Sequence, residues 1–277
     1  TRLVGSEMCI RDSLEKQQYC AIMKSVSKGS RTSDIERMNR MFKIVRKKEL
    51  NSAVTLMEIE APFVAKKAKA GQFIIFRVDE TGERVPLTIA GYDREKGTVA
   101  IIFQKVGLTT KMLGAMNEGD YIQDFVGPLG KPTNTEGIKR VCVVGGGVGC
   151  AIALPSAQAF KEAGAEVDVI VGFRSKDIVI LEDEFKACSD HLYLMTDDGS
   201  YGEQGVVTAP LERLLQDKAV SQVFCVGPVP MMKFSTLTAQ KYDTPITASL
   251  NPIMVDGTGM CAVSYTHLRA HETRSNL

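Results

Sequence analysis

The apolar run Val141-Cys142-Val143-Val144 passes without interruption into Gly145-Gly146-Gly147-Val148-Gly149 and then into AIALPSAQAFKEAG. A short β-branched run with no polar alternation predicts a strand covered on both faces, and the alanine-rich stretch behind it predicts a helix. Glycines between the two permit a tight turn and let another molecule approach the main chain closely. A helix that opens at such a turn presents unpaired N–H groups and the positive end of its dipole, the combination that receives a pyrophosphate. The pattern departs from the common G-x-G-x-x-G fingerprint, because Cys150 occupies the third glycine. Its place between a strand and a helix is what gives it weight as a nucleotide turn.

The same rhythm continues downstream: strand VDVIVGF, helix LEDEFKACS, strand HLYLMT, helix APLERLLQ, strand QVFCVG, helix MMKFSTLTAQKY and strand ITASL. Strands alternating with helices predict a parallel sheet covered on both faces, over residues 136–250. Such sheets bind ligands at the carboxyl ends of their strands. Three further candidates lie there: Arg174 after the second strand; Asp197, Asp198 and Gly199 after the third; and Cys225, Gly227, Pro228 and Met231 at and after the fourth. Dinucleotide-binding units that select NAD commonly carry an acidic residue where Arg174 stands. An arginine suits a 2′-phosphate and serves equally as a surface charge, so NAD and NADP both remain open.

Before residue 136 the pattern is different. FKIVRKKEL, VTLMEIEAP, QFIIFRVD, PLTIAGY, TVAIIFQKV and YIQDFVGP alternate polar and apolar residues, with Gly, Pro, Asn and Asp between them. Evenly spaced strands with turn signals predict an antiparallel barrel or sandwich over residues 41–135, interrupted by one short helix, TTKMLGAM. At 277 residues, 44% hydrophobic and 24% charged, the chain has the composition of a folded two-domain protein. Its net charge of +1 gives no reason to expect a nucleic acid or an acidic membrane as partner. The seven cysteines are scattered singly, which suits reduced thiols and a cytoplasmic location better than a disulfide framework.

Taken in order, the barrel pattern, GGGVGCA, TDDGSYGEQG and CVGPVPMM resemble the ferredoxin–NADP reductase superfamily. Within it, the chain is most similar to the electron-transfer subunits of dihydroorotate dehydrogenase type B, and more so to the small subunits of sulfide dehydrogenase and NADH-dependent ferredoxin–NADP oxidoreductase. The resemblance spans about residues 41–261. It implies an FAD-binding barrel followed by an NAD(P)-binding domain, working as an electron-transfer flavoprotein. For FAD it points to Arg84, Pro86, Leu87, Thr88 and Ile89 on one strand, and to Gly107, Thr109 and Thr110 at a helix-opening turn. Arg84 stands four residues before the hydroxyl of Thr88, where relatives more often space three. The resemblance also brings Cys225, Gly227 and Pro228 near the nicotinamide.

Relatives continue into a 2Fe-2S segment, with cysteine ligands spaced Cys-x4-Cys-x2-Cys and a fourth beyond. Here Cys261 matches the second ligand and Asp256 stands at the first. The carboxylate resembles the ferredoxin–NADP oxidoreductase branch. The resemblance further implies a larger catalytic flavoprotein or iron–sulfur subunit as partner, with ferredoxin a further possible one. Residues 262–277 (AVSYTHLRAHETRSNL) and 1–13 are unpatterned and resemble sequencing-adapter read-through, and residues 14–40 are polar. The expectations are a non-native leader over 1–40 with Met41 as the start, an iron–sulfur segment cut short over 251–261, and no cluster in the chain as it stands. No metal is expected at His267 and His271.

Overall fold

The computed structural model of the chain describes residues 41–218 and 220–250. The expected leader, the pair Asp256 and Cys261, and the tail with His267 and His271 lie outside the described residues.

The first half is an antiparallel sheet of seven strands: β1 (Phe42–Glu49), β2 (Val54–Glu60), β3 (Phe73–Arg77), β4 (Val85–Asp93), β5 (Thr98–Gln104), β6 (Tyr121–Ile122) and β7 (Asp124–Leu129). Their order is β6-β1-β2-β5-β4-β3-β7. The strands at the two ends of that order are consecutive in the chain, separated by Gln123 alone. The sheet therefore closes on itself, and of the two architectures the alternation allows, the barrel is the one formed. Its interior is filled by the inward set of each strand, including Ile44, Met57, Phe76, Ile101, Phe103 and Phe125.

Two helices lie in this half rather than the one expected. Helix α1 (Pro62–Lys67) opens on a proline and buries Val64 and Ala65. Its six residues are under two turns, too few to show a 3.6-residue period in the sequence. Helix α2 (Leu108–Ala115) is the expected one.

On β4 the register slips between Ile89 and Gly91, leaving Ala90 as an extra residue. Ile89 turns into the barrel, whereas Ala90 belongs to a different apolar cluster, shared with the second half of the molecule. A bulge re-aims one side chain while the strand continues. Here it turns β4 toward the neighbouring unit.

The second half is a parallel sheet: β8 (Arg140–Gly146), β9 (Glu166–Phe173), β10 (His191–Thr196), the two-residue β11 (Glu203–Gln204), β12 (Gln222–Val226) and β13 (Ile246–Ala248). The order is β11-β10-β9-β8-β12-β13. Alternate residues of β8 serve opposite faces. Val141 and Val143 pack with Leu154 and Phe160 of α3 (Cys150–Glu162) and Phe185 of α4 (Glu182–Cys188). Cys142 and Val144 pack with Leu211 of α5 (Thr208–Gln216) and Met232 of α6 (Val229–Lys241). No helix among the described residues is long and apolar enough to cross a membrane.

At the amino ends of these strands lies a buried charge cluster. Asp168 of β9 is fully buried. It accepts from Arg140 Nε at 2.8 Å and Nη2 at 3.3 Å, and its other contact is His191 Nδ1 at 2.9 Å. The cluster spans three adjacent strands at the edge opposite the glycine turn. The carboxylate of Asp168 raises the pKa of the Arg140 guanidinium above its ordinary value.

Candidate functional site

Strand order reverses between β8 and β12: β9 and β10 build outward on one side, β12 and β13 on the other. In open α/β sheets the crevice outside the carboxyl ends at such a switch point is where ligands bind. Both glycine motifs singled out in the sequence lie there, far apart in the chain and side by side in space. The α-carbon of Gly149 lies so near the neighbouring strand end that a Cβ would come within 2.8 Å of both Gly227 Cα and the Val226 carbonyl oxygen. A Cβ on Gly146 would sit 3.0 Å from Pro228 Cδ and overlap the sulfur of Met231. Glycine at 146, 149 and 227 is therefore what lets the β8 turn and the β12 turn touch.

Gly147 differs. Its φ of +54° is left-handed, and a Cβ there would meet nothing within 4 Å. This is the open side of the turn, and Val148 beside it is exposed. A single 3-10 turn, Gly147–Gly149, leads into α3; the Cys150 N–H is taken up by the Gly147 and Val148 carbonyls, and the N–H groups of Val148 and Gly149 stand before it at the dipole end. Open space, unpaired donors and a dipole end together fit the pyrophosphate of a dinucleotide. The missing third glycine is explained as well. Its usual task is close packing of helix on strand, and here Gly145 leaves that room, with Cys150 Sγ and Ala153 Cβ at 3.1 and 3.3 Å from where its Cβ would lie.

The loops after β9 and β10 are stitched together. Phe173 O accepts from Asp197 N–H at 3.0 Å, Arg174 O from Asp198 N–H at 3.2 Å, and Ser200 Oγ from Lys176 N–H at 2.9 Å. Ser200 donates its hydroxyl and then its amide to Asp198, which holds that carboxyl below the ordinary range. Gly199 takes a left-handed φ of +71° to close this loop. Arg174, Asp197 and Asp198 are exposed beside the crevice. Cys225 is placed otherwise. Alternation on β12 sends its side chain into the core shared with Cys142 and Val144, and burial pushes its thiol up to about 11. Gly227 and Pro228 reach the rim, and the thiol does not.

In the barrel, Pro86, Leu87 and Thr88 lie half-buried on β4, paired with Ile75, Ile74 and Phe73 of β3. Ile89 is fully buried in the barrel, and its N–H donates to Gln72 O at 3.0 Å. Arg84 is 3.8 Å from Asp124 Oδ2, a carboxylate already paired with Arg77 Nε at 2.7 Å, so much of its charge remains available to an anion. At the α2 turn, Gly107 N–H donates to Thr110 Oγ1 at 3.0 Å and the Thr110 hydroxyl donates to Gly107 O at 3.1 Å. Thr109 is buried. The amides left to receive a phosphate at this turn are those of Leu108, Thr109 and Thr110. The charge of Arg84 and these amide donors fit a cofactor diphosphate.

The two half-sites are connected. Ala90, at the β4 bulge, shares an apolar cluster with Ala151 and Leu154 of α3, the helix that opens at the glycine turn. Nothing in the local sequence announces this contact, nor the hydrogen bonds that Thr133, Ser156 and Asn51 make across it.

No family model matches the chain. An uncharacterized protein encoded in the adh 3′ region of Clostridium beijerinckii is 50% identical over 230 residues, covering 80% of this chain and 78% of its relative. A Thermotoga maritima protein named as a homolog of the electron-transfer subunit of dihydroorotate dehydrogenase B (NAD(+)) is 48% identical over 218 residues, 79% of this chain and 77% of its own length. The chain belongs to the dihydroorotate dehydrogenase B electron-transfer subunit family. Members of this family are flavoprotein electron-transfer subunits of oxidoreductases, and this is the functional class of the chain. Among solved structures, that of the NADH-dependent reduced ferredoxin–NADP oxidoreductase matches with a TM-score of 0.74 and 46% identity, over 79% of each chain. The fold of this family member is accordingly ferredoxin reductase-like.

Proposed function

We propose that this protein carries electrons between a nicotinamide dinucleotide and a larger partner subunit by way of FAD. The observation that carries the proposal is the contact of Gly149 with Gly227 at the switch point, with α3 packed against the strand that bears Thr88.

The nucleotide half works through shape and dipole. With no side chain at Gly147, a pyrophosphate would reach the N–H groups of Val148 and Gly149 in the turn that leads into α3. Pro228 and Met231 pack on Gly146 at the floor of the crevice. Arg174, exposed after β9 beside the crevice, would serve the ribose end of either NAD or NADP. In the barrel half, Arg84 would offer charge to a flavin phosphate, the amides of Leu108, Thr109 and Thr110 would offer donors to the diphosphate, and Pro86, Leu87 and the Thr88 hydroxyl would hold the ring edge. FAD, when bound there, supplies the exchange between two-electron and one-electron chemistry that no side chain offers. Hydride transfer needs no nucleophile, and Cys225 is assigned none.

Beyond the flavin the proposal is a 2Fe-2S cluster and a partner subunit. Asp256 in the first ligand position favours a ferredoxin–NADP oxidoreductase or sulfide dehydrogenase type of complex. The name carried by the Thermotoga maritima relative favours a second outlet, a partner that oxidises dihydroorotate. Four described cysteines are buried and unpaired, which supports a reducing compartment, the cytoplasm.

The test is to purify the full chain, record its visible spectrum and add NADH or NADPH without oxygen. A flavin absorption that bleaches supports the proposal, and the faster nucleotide identifies the donor. A colourless protein that still binds NADH overturns the flavin assignment and leaves a nucleotide-sensing module. Rapid turnover by a monomer that no partner subunit accelerates would replace the relay with a free-standing flavin reductase.

A further inference from the structure

The barrel and the α/β unit meet across an apolar junction, and one pair of hydroxyls is set into it. Ser156, in the middle of α3, is fully buried, and its Oγ lies 3.1 Å from Oγ1 of Thr133. Thr133 belongs to the connection between β7 and β8, and its N–H donates to Ala70 O at 2.9 Å. Its side chain lies against Gly71 so closely that a Cβ there would overlap Thr133 Oγ1, and the φ of Gly71, +82°, independently calls for glycine. The path continues from the next residue. Gln72 O accepts from Ile89 N–H at 3.0 Å, and Gln72 Nε2 donates to Gly130 O at 3.0 Å. Ile89 follows Thr88 on β4. In the other direction, α3 runs back from Ser156 to Gly149 in less than two turns.

A hydroxyl buried without a partner is costly, and apolar contact is non-directional, so it resists separation better than sliding. A hydrogen bond between the two halves fixes position where the surrounding alanines and leucine fix only proximity. The geometry points to Thr133 and Ser156 as positioning residues that hold the β4 strand and the glycine turn in register, so that nicotinamide and flavin meet at reacting distance. This role rests on the proposed relay. Neither residue touches the reacting atoms. Their effect is through placement, to which group transfer is sensitive: a displacement of about 1 Å costs on the order of a hundredfold in rate.

Two variants remove the bond, Ser156→Ala and Thr133→Val, and Thr133→Ser keeps it. In the full chain loaded with FAD, the rate of flavin reduction by NADH is expected to fall roughly ten- to a hundredfold in the first two. The Kd for NAD and the flavin content stay as in the wild type, and Thr133→Ser retains most of the rate. In the flavin-free chain, hydrogen–deuterium exchange gives a readout apart from turnover. The segments 70–73 and 150–157 should lose protection together in Thr133→Val. Should Ser156→Ala fail to fold, Thr133→Val carries the test from the half-exposed connection. A wild type that NADH reduces, with variants equally fast and equally protected, overturns the positioning role alone. A rate that falls only in proportion to lost NAD binding, or falls equally in Thr133→Ser, reduces the pair to a structural contact and also overturns it. A wild type that takes up no flavin overturns the relay and the positioning role with it.

Discussion

At the scale of single residues, the site depends on what is missing from glycine. The contact of Gly149 with Gly227 and the Val226 carbonyl leaves no room for a methyl group, and both neighbours are backbone that cannot rotate away. Gly149→Ala should therefore push the start of α3 off the β12 turn and misdirect the amides offered to the pyrophosphate. Losing one charge-assisted hydrogen bond costs about 1.5–3 kcal/mol, roughly tenfold or more in affinity. The expected result is weaker NADH binding by titration, with flavin content unchanged, because the barrel is untouched. Equal affinity in the variant would remove the turn from the site. The glycine run and the Cys-Gly-Pro segment were legible in the sequence, since each follows a buried strand. Their contact was not, being made by residues far apart in the chain. The inward turn of Cys225 was not legible either, because a family resemblance locates a residue on a strand without saying which face it serves.

Among elements, the long strands and helices were legible and the small ones were not. Alternation over five to nine residues shows in β1 to β5, whereas α1 and the two-residue β11 are too short to carry a period. The β4 bulge was hidden for a related reason. It makes Ile89 and Ala90 both buried, which a sequence reads as a lapse in alternation rather than as two faces serving two cores. The Asp168 cluster is likewise a property of neighbouring strands. Its carboxylate joins β8, β9 and β10 through Arg140 and His191, and Asp168→Asn keeps the shape while removing the charge. Breaking a buried pair costs about 3–5 kcal/mol, and the partial exposure of Arg140 reduces this to about 2–3 kcal/mol. Denaturant unfolding should show that loss with NADH binding preserved, since the cluster lies at the edge of the sheet away from the crevice. A loss under about 0.5 kcal/mol, the ordinary range of surface substitutions, would show the pair to be screened by solvent.

For the whole molecule, the buried thiols set an alkaline limit. Burial pushes Cys225 and Cys188 up from the ordinary 9.0 to about 11, and Cys142 and Cys150 are raised as well. A raised pKa means the folded state favours the neutral thiol. The stability this confers is whole below pH 9.0 and is lost as pH rises through about 11. Melting temperature should fall across that window, and less steeply in Cys188→Ala/Cys225→Ala. Equal slopes would assign the alkaline loss to other groups.

The closure of the barrel has a consequence for biosynthesis. β1 pairs with β2 at once, but its other edge waits for Tyr121 and Ile122. At a synthesis rate of about 5–20 residues per second, this strand, the first among the described residues, keeps an open flank for several seconds. That strand is FKIVRKKE, four of its eight residues being Lys or Arg. Positive charge along an unpaired edge discourages other chains from adding to it. The nascent chain is thus guarded during the interval when its own sequence cannot yet cover it.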